Sequence, residues 1–246
     1  MNFIKTINIE RYQNIVILTG AGVSAASGIR SYRGDKGLWT EFDPQEHADR
    51  SVLERDPWKI WQFFGPMRSI MKDAKPNPAH ITLAELESSL DNAQSWTLIT
   101  QNVDELHTRA GSENVIALHG SLLQTRCIDP DCHLEPFNDY IVYTQMPLCP
   151  VCGSPLRPNI VLFNEPLPPK ASWKAKRALR DCDLFLSIGT SGAVAPACHF
   201  ARSADYVGAR TVSINTEAMF PSNPYFQEQI IGPAEDIIQK ILVGRS

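Results

Sequence analysis

The sequence predicts an α/β protein, a parallel sheet with helices on both faces and a smaller metal-binding insertion. Three observations carry this. Short β-branched runs alternate with helix-like segments, the pattern that yields parallel strands joined by right-handed crossovers. The first run, residues 15–19, ends in Gly20-Ala-Gly22, a turn that opens a helix. Four of the six cysteines fall within residues 127–152, in a proline-rich stretch with little continuous periodicity.

In chain order, residues 15–19 read as a buried strand. Residues 30–55 are polar and punctuated by Gly and Pro, with Tyr32, Trp39 and Phe42 scattered among them. They read as a long, partly ordered loop with short helices, and such loops are often functional lids. Residues 57–74 and 78–90 have helical apolar spacing. The first stretch is interrupted at Gly65-Pro66, and Lys75-Pro-Asn-Pro78 separates the two. Residues 95–100 and 115–118 are the next strands. Residues 121–158, with Pro130, Pro136, Pro147, Pro150 and Pro155, form a small inserted module. Then come 159–163 (strand), 169–180 (helix), 183–189 (strand), roughly 196–205 (helix), 210–215 (strand) and 234–243 (helix). The chain is thus expected to divide into a sheet domain (1–34, 93–120 and 159–246), a loop and helical module (35–92) and a metal module (121–158).

A chain of 246 residues, 43% hydrophobic, can bury a core without disulfide staples. Its 23 Lys and Arg against 27 Asp and Glu give a net charge of −4, a poor balance for a generic polyanion binder, so no nucleic-acid partner is expected. No apolar run reaches the roughly 18 residues of a membrane span, and no membrane partner is expected. The best signal-peptide decoy, residues 15–29, is spoiled by Glu10, Gly20 and Gly22. Clustered cysteines in a chain of this size point to a metal site in a reducing, cytoplasmic compartment rather than a disulfide framework.

Four motifs carry chemistry. Gly20-Ala-Gly22-Val-Ser-Ala25 fits a dinucleotide-binding turn, in which glycines let the backbone approach a pyrophosphate at a helix N-terminus. Taken alone it fits a ligand-free strand–helix turn equally well. The second strand with its acidic end, expected about 20 residues on in nicotinamide dehydrogenases, is missing. Cys127-x4-Cys132 and Cys149-x2-Cys152 are two close pairs with 16 residues between them, the arrangement that holds a tetrahedral structural Zn²⁺ with no open position for water. His133 is a weaker substitute ligand. The module has no Lys or Arg from Cys127 to Pro155 but carries Asp129, Asp131, Glu135 and Asp139, which argues against a nucleic-acid-reading ribbon. Thr100-Gln-Asn-Val-Asp-Glu-Leu-His107 places amides and a carboxylate at the carboxyl end of a strand, where α/β proteins bind ligands. Asp104 equally suits the N-cap of a helix. His119-Gly120, also at a strand end, offers a general base titrating near neutrality, although an isolated histidine is more often structural. His80 reads as a helix-packing or capping residue, His107 as structural, and Cys182 and Cys198 as small buried hydrophobes.

Together the residues resemble the sirtuin family of NAD⁺-dependent protein deacylases. The matching pieces are Gly20-Ala-Gly-Val-Ser-Ala-Ala-Ser-Gly-Ile-Arg-Ser-Tyr-Arg-Gly34, Gly37-Leu-Trp39, Pro76-Asn-Pro-Ala-His80 and Thr100-Gln-Asn-Val-Asp104 with Leu106-His107. They continue with His119-Gly120, the four cysteines, Gly189-Thr-Ser191 with Pro196-Ala197, and Asn215-Thr-Glu217. They occur in the family's order and span its catalytic core, like a compact bacterial-type member without regulatory extensions.

The resemblance implies a Rossmann-like domain, a smaller zinc and helical domain, and an active site between them. It implies the NAD⁺ pyrophosphate over Gly20, Ala21, Gly22 and Ser24, and adenosine near Gly189, Thr190, Ser191 and Asn215. The nicotinamide pocket is then lined by Ala21, Ile29, Tyr32, Val103 and Asp104, with Arg33 positioning the lid and phosphates. Asp104 is implied to hold the carboxamide, and Gln101 and Asn102 to contact the ribose or a water. The acyl oxygen attacks C1′ of the ribose, His119 is the general base on a ribose hydroxyl, and the products are nicotinamide, O-acyl-ADP-ribose and free lysine. The peptide of an acylated-lysine substrate adds as a strand between Phe163, Asn164 and Glu165 and the segment Gly192 to Val194, with Val161 near the acyl-lysine.

Two departures bear on specificity. Tyr32 stands where Phe is usual, and Leu162-Phe-Asn-Glu165 replaces Trp-Phe-Gly-Glu. The subgroup that removes succinyl and malonyl groups uses a Tyr and an Arg three residues later. Alignment places Phe64 and Met67 there, and neither binds a carboxylate. Arg68 is one residue on, about 100° around a helix. The expectation is removal of acetyl or another neutral acyl group, and the apolar pair also suits long chains. The alternatives are an acidic-acyl deacylase, an NAD⁺ glycohydrolase or ADP-ribosyltransferase, and a silent NAD⁺-sensing module.

Overall fold

The computed structural model describes residues 6–34, 37–219 and 221–243. The ends of the expected segments at 1–5, 35–36 and 244–246 lie outside the described residues. The chain begins with β1 (Ile7–Asn8) and β2 (Asn14–Thr19), followed by a 3₁₀ segment, Ala21–Ser27. Short helices α1 (Pro44–His47) and α2 (Arg50–Arg55) lead to the longer α3 (Pro57–Asp73) and α4 (Pro78–Ser89). Next are β3 (Ser95–Thr100), α5 (Leu106–Ala110), β4 (Val115–Ala117), β5 (Gly120–Cys127), β6 (Phe137–Asn138) and β7 (Leu156–Ile160). The last part holds α6 (Pro169–Arg180), β8 (Leu184–Ile188), α7 (Phe200–Tyr206), β9 (Arg210–Asn215), β10 (Glu228–Ile231), α8 (Ala234–Ile241) and β11 (Leu242–Val243).

Six strands form one parallel sheet in the order β10-β9-β8-β2-β3-β4. Its central strands read Asn-Ile-Val-Ile-Leu-Thr and Leu-Phe-Leu-Ser-Ile, continuous apolar runs because both faces are covered. One face packs Ile15, Ile17, Leu98 and Leu186 against α4 and α8. The other packs Val16, Leu18, Ile99 and Phe185 against α6 and α7. The chain grows from β2 toward β4 and later from β8 toward β10, so the strand order reverses between β2 and β8. Ligands of open α/β sheets bind outside the strand ends at such a point. Here the glycine turn touches Gly189, with Gly22 N–H donating to the Gly189 carbonyl at 2.9 Å. A Cβ on Gly20 or Gly22 would stand 2.8 Å from that oxygen, so no side chain fits.

The second layer is a three-stranded antiparallel sheet, β6-β5-β7. Residues 159–163, expected as a strand of the main sheet, contribute only their first two residues to β7, which pairs with β5 instead. β5 itself was hidden in the expected insertion, because a register shift between Ser121 and Thr125 breaks its alternation. The helix α3 crosses Pro66 without interruption. Pro66 lies on the exposed side, while Ile60, Trp61, Phe64, Arg68 and Met71 face inward, so only one hydrogen bond is lost and inward packing holds the helix. α4, expected with the helical module, packs on the main sheet beside α8. β1, β10 and β11 are short and gave no sequence signal.

Candidate functional site

A cleft of about 1180 Å³ opens between the carboxyl ends of the parallel strands, residues Ser31 to Gly34 with Trp39, and the three-stranded sheet. Its floor is Gly20, Ala21, Gly22, Gln101, Asn102 and Val103, with Tyr32, Arg33 and His119 around it. Gly189, Thr190, Ser191 and Asn215 line one end; Phe64, Val161, Phe163, Asn164, Glu165 and Val194 also reach it. Ser24, Ile29, Asp104, Met67 and Gly192 do not line it. Ile29 and Met67 pack in the cluster around Val103 and Phe64. Gly192 (φ 66) donates its N–H to the Thr190 hydroxyl and borders a small separate cavity. The sequence reading missed Trp39 as a cleft residue; it stacks on Tyr32 and Phe63 at 5.6 and 5.8 Å.

Behind the floor lies a closed polar network. The Ser24 hydroxyl donates to Asp104 Oδ2 at 2.7 Å and accepts from the Asn102 amide at 3.1 Å. Asn102 also donates to the Gly20 carbonyl, tying the strand-end loop to the glycine turn. Asp104 Oδ1 accepts from Leu106 N–H while its other oxygen serves the network, but the N-cap position of α5 is Glu105 (φ 62), not Asp104 as the sequence suggested. Burial raises the Asp104 carboxyl, against the Leu106 N–H and the Ser24 hydroxyl. Burial, helped by Asp104, also raises the Tyr32 phenol, which therefore stays neutral.

The partners fix the histidine tautomers. His80 Nδ1 accepts from Asn77 N–H in a reciprocal cap of α4, so Nε2 carries the proton and faces Ser24 at 3.4 Å. The Thr19 hydroxyl donates to Thr100, so it accepts from His107 Nε2–H at 2.9 Å. Burial depresses His80 to about 4 and His107 well below its ordinary value, so both are neutral at pH 7. His119 Nδ1 lies 3.0 Å from the Gln101 carbonyl, which only accepts. Nδ1 therefore holds the proton and Nε2 is left bare. Burial lowers the His119 value, partly offset by that carbonyl. Gly120 (φ 75) makes the placement possible, since a Cβ there would meet the Asn159 carbonyl at 2.1 Å.

Arg68 is consumed elsewhere. It is fully buried and donates to Asp139 Oδ2 at 3.0 Å, Thr125 Oγ1 at 2.9 Å, and the carbonyls of Leu122, Gln124 and Ile141. Burial alone would raise the Asp139 carboxyl, but the Thr125 hydroxyl, Ile141 N–H and Arg68 hold it below the usual range. Of the expected acyl pair, only Phe64 reaches the cleft.

The lip at 161–165 is largely spoken for. Phe163 N–H donates to the Ala48 carbonyl and its own carbonyl accepts from Arg50 N–H, so its backbone is closed to a peptide strand. Glu165 accepts from Leu162 N–H and ion-pairs with Arg157 at 2.5 Å. Asn164 adopts φ 62 and donates its amide to Asp49 at 2.6 Å. Asn is among the few side chains that tolerate this left-handed conformation, which suits a position where the resemblance led one to expect glycine.

The sulfurs of Cys127, Cys132, Cys149 and Cys152 all lie within 4.8 Å of one another, with the closest pairs at 3.5 and 3.6 Å. A tetrahedron of Zn–S bonds near 2.3 Å has edges of about 3.8 Å, so the donor set fits zinc. His133 is outside this group. Burial pushes the Cys182 thiol up to about 12, as suits an inert core residue. Among the described residues no helix is long and apolar enough to cross a membrane.

A model of the Sir2 family matches residues 20–196. An NAD-dependent protein deacylase of Thermus thermophilus is 41% identical over 85% of this chain and 82% of its own length. A solved Sir2 homologue in complex with ADP-ribose superposes with a TM-score of 0.87 at 37% identity, covering 95% of this chain and 92% of that one. A Sir2 protein bound to a deacetylated p53 peptide and 3′-O-acetyl ADP-ribose superposes at 0.84 with 29% identity, covering 95% and 94%.

Proposed function

Because the chain belongs to the Sir2 family, we propose that it is an NAD-dependent protein deacylase acting on acylated lysines and preferring acetyl or another neutral acyl group. The observation that carries the reading is His119, a neutral imidazole with Nε2 bare, at the edge of a cleft whose floor is a glycine turn at the sheet's reversal point. NAD, when bound, supplies the labile nicotinamide–ribose bond and the ADP-ribose that receives the acyl group.

The remaining roles belong to the chain. Gly20 and Gly22 leave their backbone open to a pyrophosphate, and Gly189, Thr190, Ser191 and Asn215 hold the adenosine end. Ser24 and Asp104 act from behind the floor by fixing Asn102 and the loop at 101–104. Gln101 orients His119, and His119 Nε2 takes a proton from a ribose hydroxyl. The depressed value keeps that nitrogen unprotonated at pH 7. Val103, Tyr32 and Ala21 form the nicotinamide pocket. Phe64 and Val161 give the acyl group an apolar site. No cation faces it from Arg68, whose guanidinium is bound to Asp139, and this favours neutral acyl groups. Peptide pairing falls to Asn164 on one side and Val194 on the other. The four cysteines hold a structural zinc that takes no part in the reaction. Four thiols gathered as a metal-binding set suit a reducing compartment, and we place the protein in the cytoplasm.

The test is incubation with NAD and an acetyl-lysine peptide, following nicotinamide and peptide mass. His119→Ala should lower deacylation about 10²- to 10⁴-fold with NAD binding retained. The wild-type acid limb should lie below the ordinary imidazole value of 6.5. Nicotinamide release without peptide would instead indicate a glycohydrolase, and a succinyl preference would overturn the argument from Arg68.

A further inference from the structure

The solvent face of α6 departs from the weakly acidic character of the chain. The helix reads Pro-Lys-Ala-Ser-Trp-Lys-Ala-Lys-Arg-Ala-Leu-Arg and contains no acid. Lys170, Trp173, Lys174 and Arg177 recur at i, i+3, i+4 and i+7 and so share one face; Arg180 continues it. Ala175 and Leu179 are buried on the opposite side. Trp173 is 59% exposed, and the Arg177 guanidinium lies 5.3 Å from its ring centroid. Arg180 pairs with Asp181, but no ion pair engages Lys170, Lys174 or Lys176 among the described residues.

Neither feature serves the fold. Like charges four apart, as at Lys170 and Lys174, destabilise a helix. A solvent-facing indole contributes little burial. The helix is also continuous with the cleft, since Leu167 just before it and Ser172 and Lys176 within it line the wall. A polypeptide whose acyl-lysine sits in the cleft can leave it along this helix. Twelve residues of helix span about 18 Å, the length of about five extended residues.

We infer that the exposed face of α6 is an exosite for an acidic segment of the substrate protein, within about ten residues of the acylated lysine. The inference rests on the deacylase reading above and names its substrate class. The lysines and Arg177 pair with Asp and Glu of the substrate, and Trp173 packs on its backbone or an apolar neighbour. The attraction is between exposed groups, so salt screens it.

The experiment compares acetyl-lysine peptides of equal length with an acidic or a neutral flank at low ionic strength. The acidic peptide should have a kcat/KM about 10-fold higher, through KM, with the preference shrinking at 0.5 M salt. In K174E/R177E the preference should vanish while the neutral peptide turns over as in the wild type and the Tm is unchanged. W173A provides a second variant and should lose part of the preference. Equal kcat/KM for the two peptides overturns the exosite. So does a preference that survives charge reversal. Competition by a single-stranded oligonucleotide without any peptide preference also overturns it and reassigns the face. No turnover of any peptide removes the deacylase reading itself, a result distinct from the others.

Discussion

The two sheets bury their strands by different means. In the parallel sheet, β2 and β8 bury every residue except Asn14, and a large apolar cluster covers each face. In the antiparallel sheet, the far end is covered by a cluster of only Cys127, Cys149 and Leu156, with Cys132 and Leu134 against it. Where that sheet meets α3, Ile60, Phe64 and Met71 pack on Leu122, Leu123 and Ile160, and a fully buried ion pair, Arg68 with Asp139, sits beside them under Trp61. Apolar area stabilises the first region at about 25 cal/mol per Å². The cysteine end of the second has too little of it and depends on thiol coordination, while its junction with α3 adds a fully bonded guanidinium to an apolar cluster. The cleft lies between a region stable by itself and a region that is conditional.

The largest break in that comparison should come from the metal site. Structural zinc contributes about 10–16 kcal/mol to folding of small metal modules. Cys149→Ser, or a strong chelator, should strip the metal and abolish hydrogen-exchange protection in β5 and β7 while β2, β3 and β8 stay protected. Unchanged metal content in the variant would sink the tetrad.

Next is Arg68→Ala, which leaves Asp139 buried and unpaired and should cost about 3–5 kcal/mol in urea unfolding. Asp139→Leu added to it should recover part of the loss. Equal stability of R68A and wild type would mean the ion pair carries nothing.

The smallest effect concerns acid and falls on the parallel-sheet side. His80 has a folded value of about 4 against 6.5 in the unfolded chain. The unfolded state therefore binds more protons below pH 6.5. Stability present above that pH is lost as pH falls toward 4, by about 3 kcal/mol. His107 shifts in the same direction. Asp139, held low, adds its loss only below the ordinary carboxylate range. Urea midpoints at pH 7.5 and 4.5 test this, and a flat profile would contradict it.

Acyl specificity depends on contacts that the sequence does not reveal. Phe64, Met67 and Arg68 lie within five residues of one helix; helical phase turned Arg68 about 100° from the expected place, and only the Gly65-Pro66 interruption kept it eligible for the cleft. Only packing sends Arg68 to Asp139, 71 residues away, and lays the half-buried Met67 against the apolar cluster instead of the cleft. Asn164 is similar, since its glycine-like φ and its bond to Asp49 depend on a neighbour 115 residues distant. β5 was illegible because its register shift breaks the alternation that reveals a strand.

Local chemistry was legible without coordinates. The glycine turn needs residues without a Cβ, the thiol pairs need short spacing, and buried parallel strands need continuous apolar runs. Each is a constraint between residues near one another in the chain. The tertiary structure decided what depends on distant residues. It left His119 Nε2 bare by giving Nδ1 to Gln101, placed Ser24 and Asp104 behind the floor rather than in it, and closed Phe163 to peptide pairing. A side chain's hydrogen-bond partner and its dielectric surroundings come from segments brought together only by folding, so its protonation and availability are not written in its local sequence.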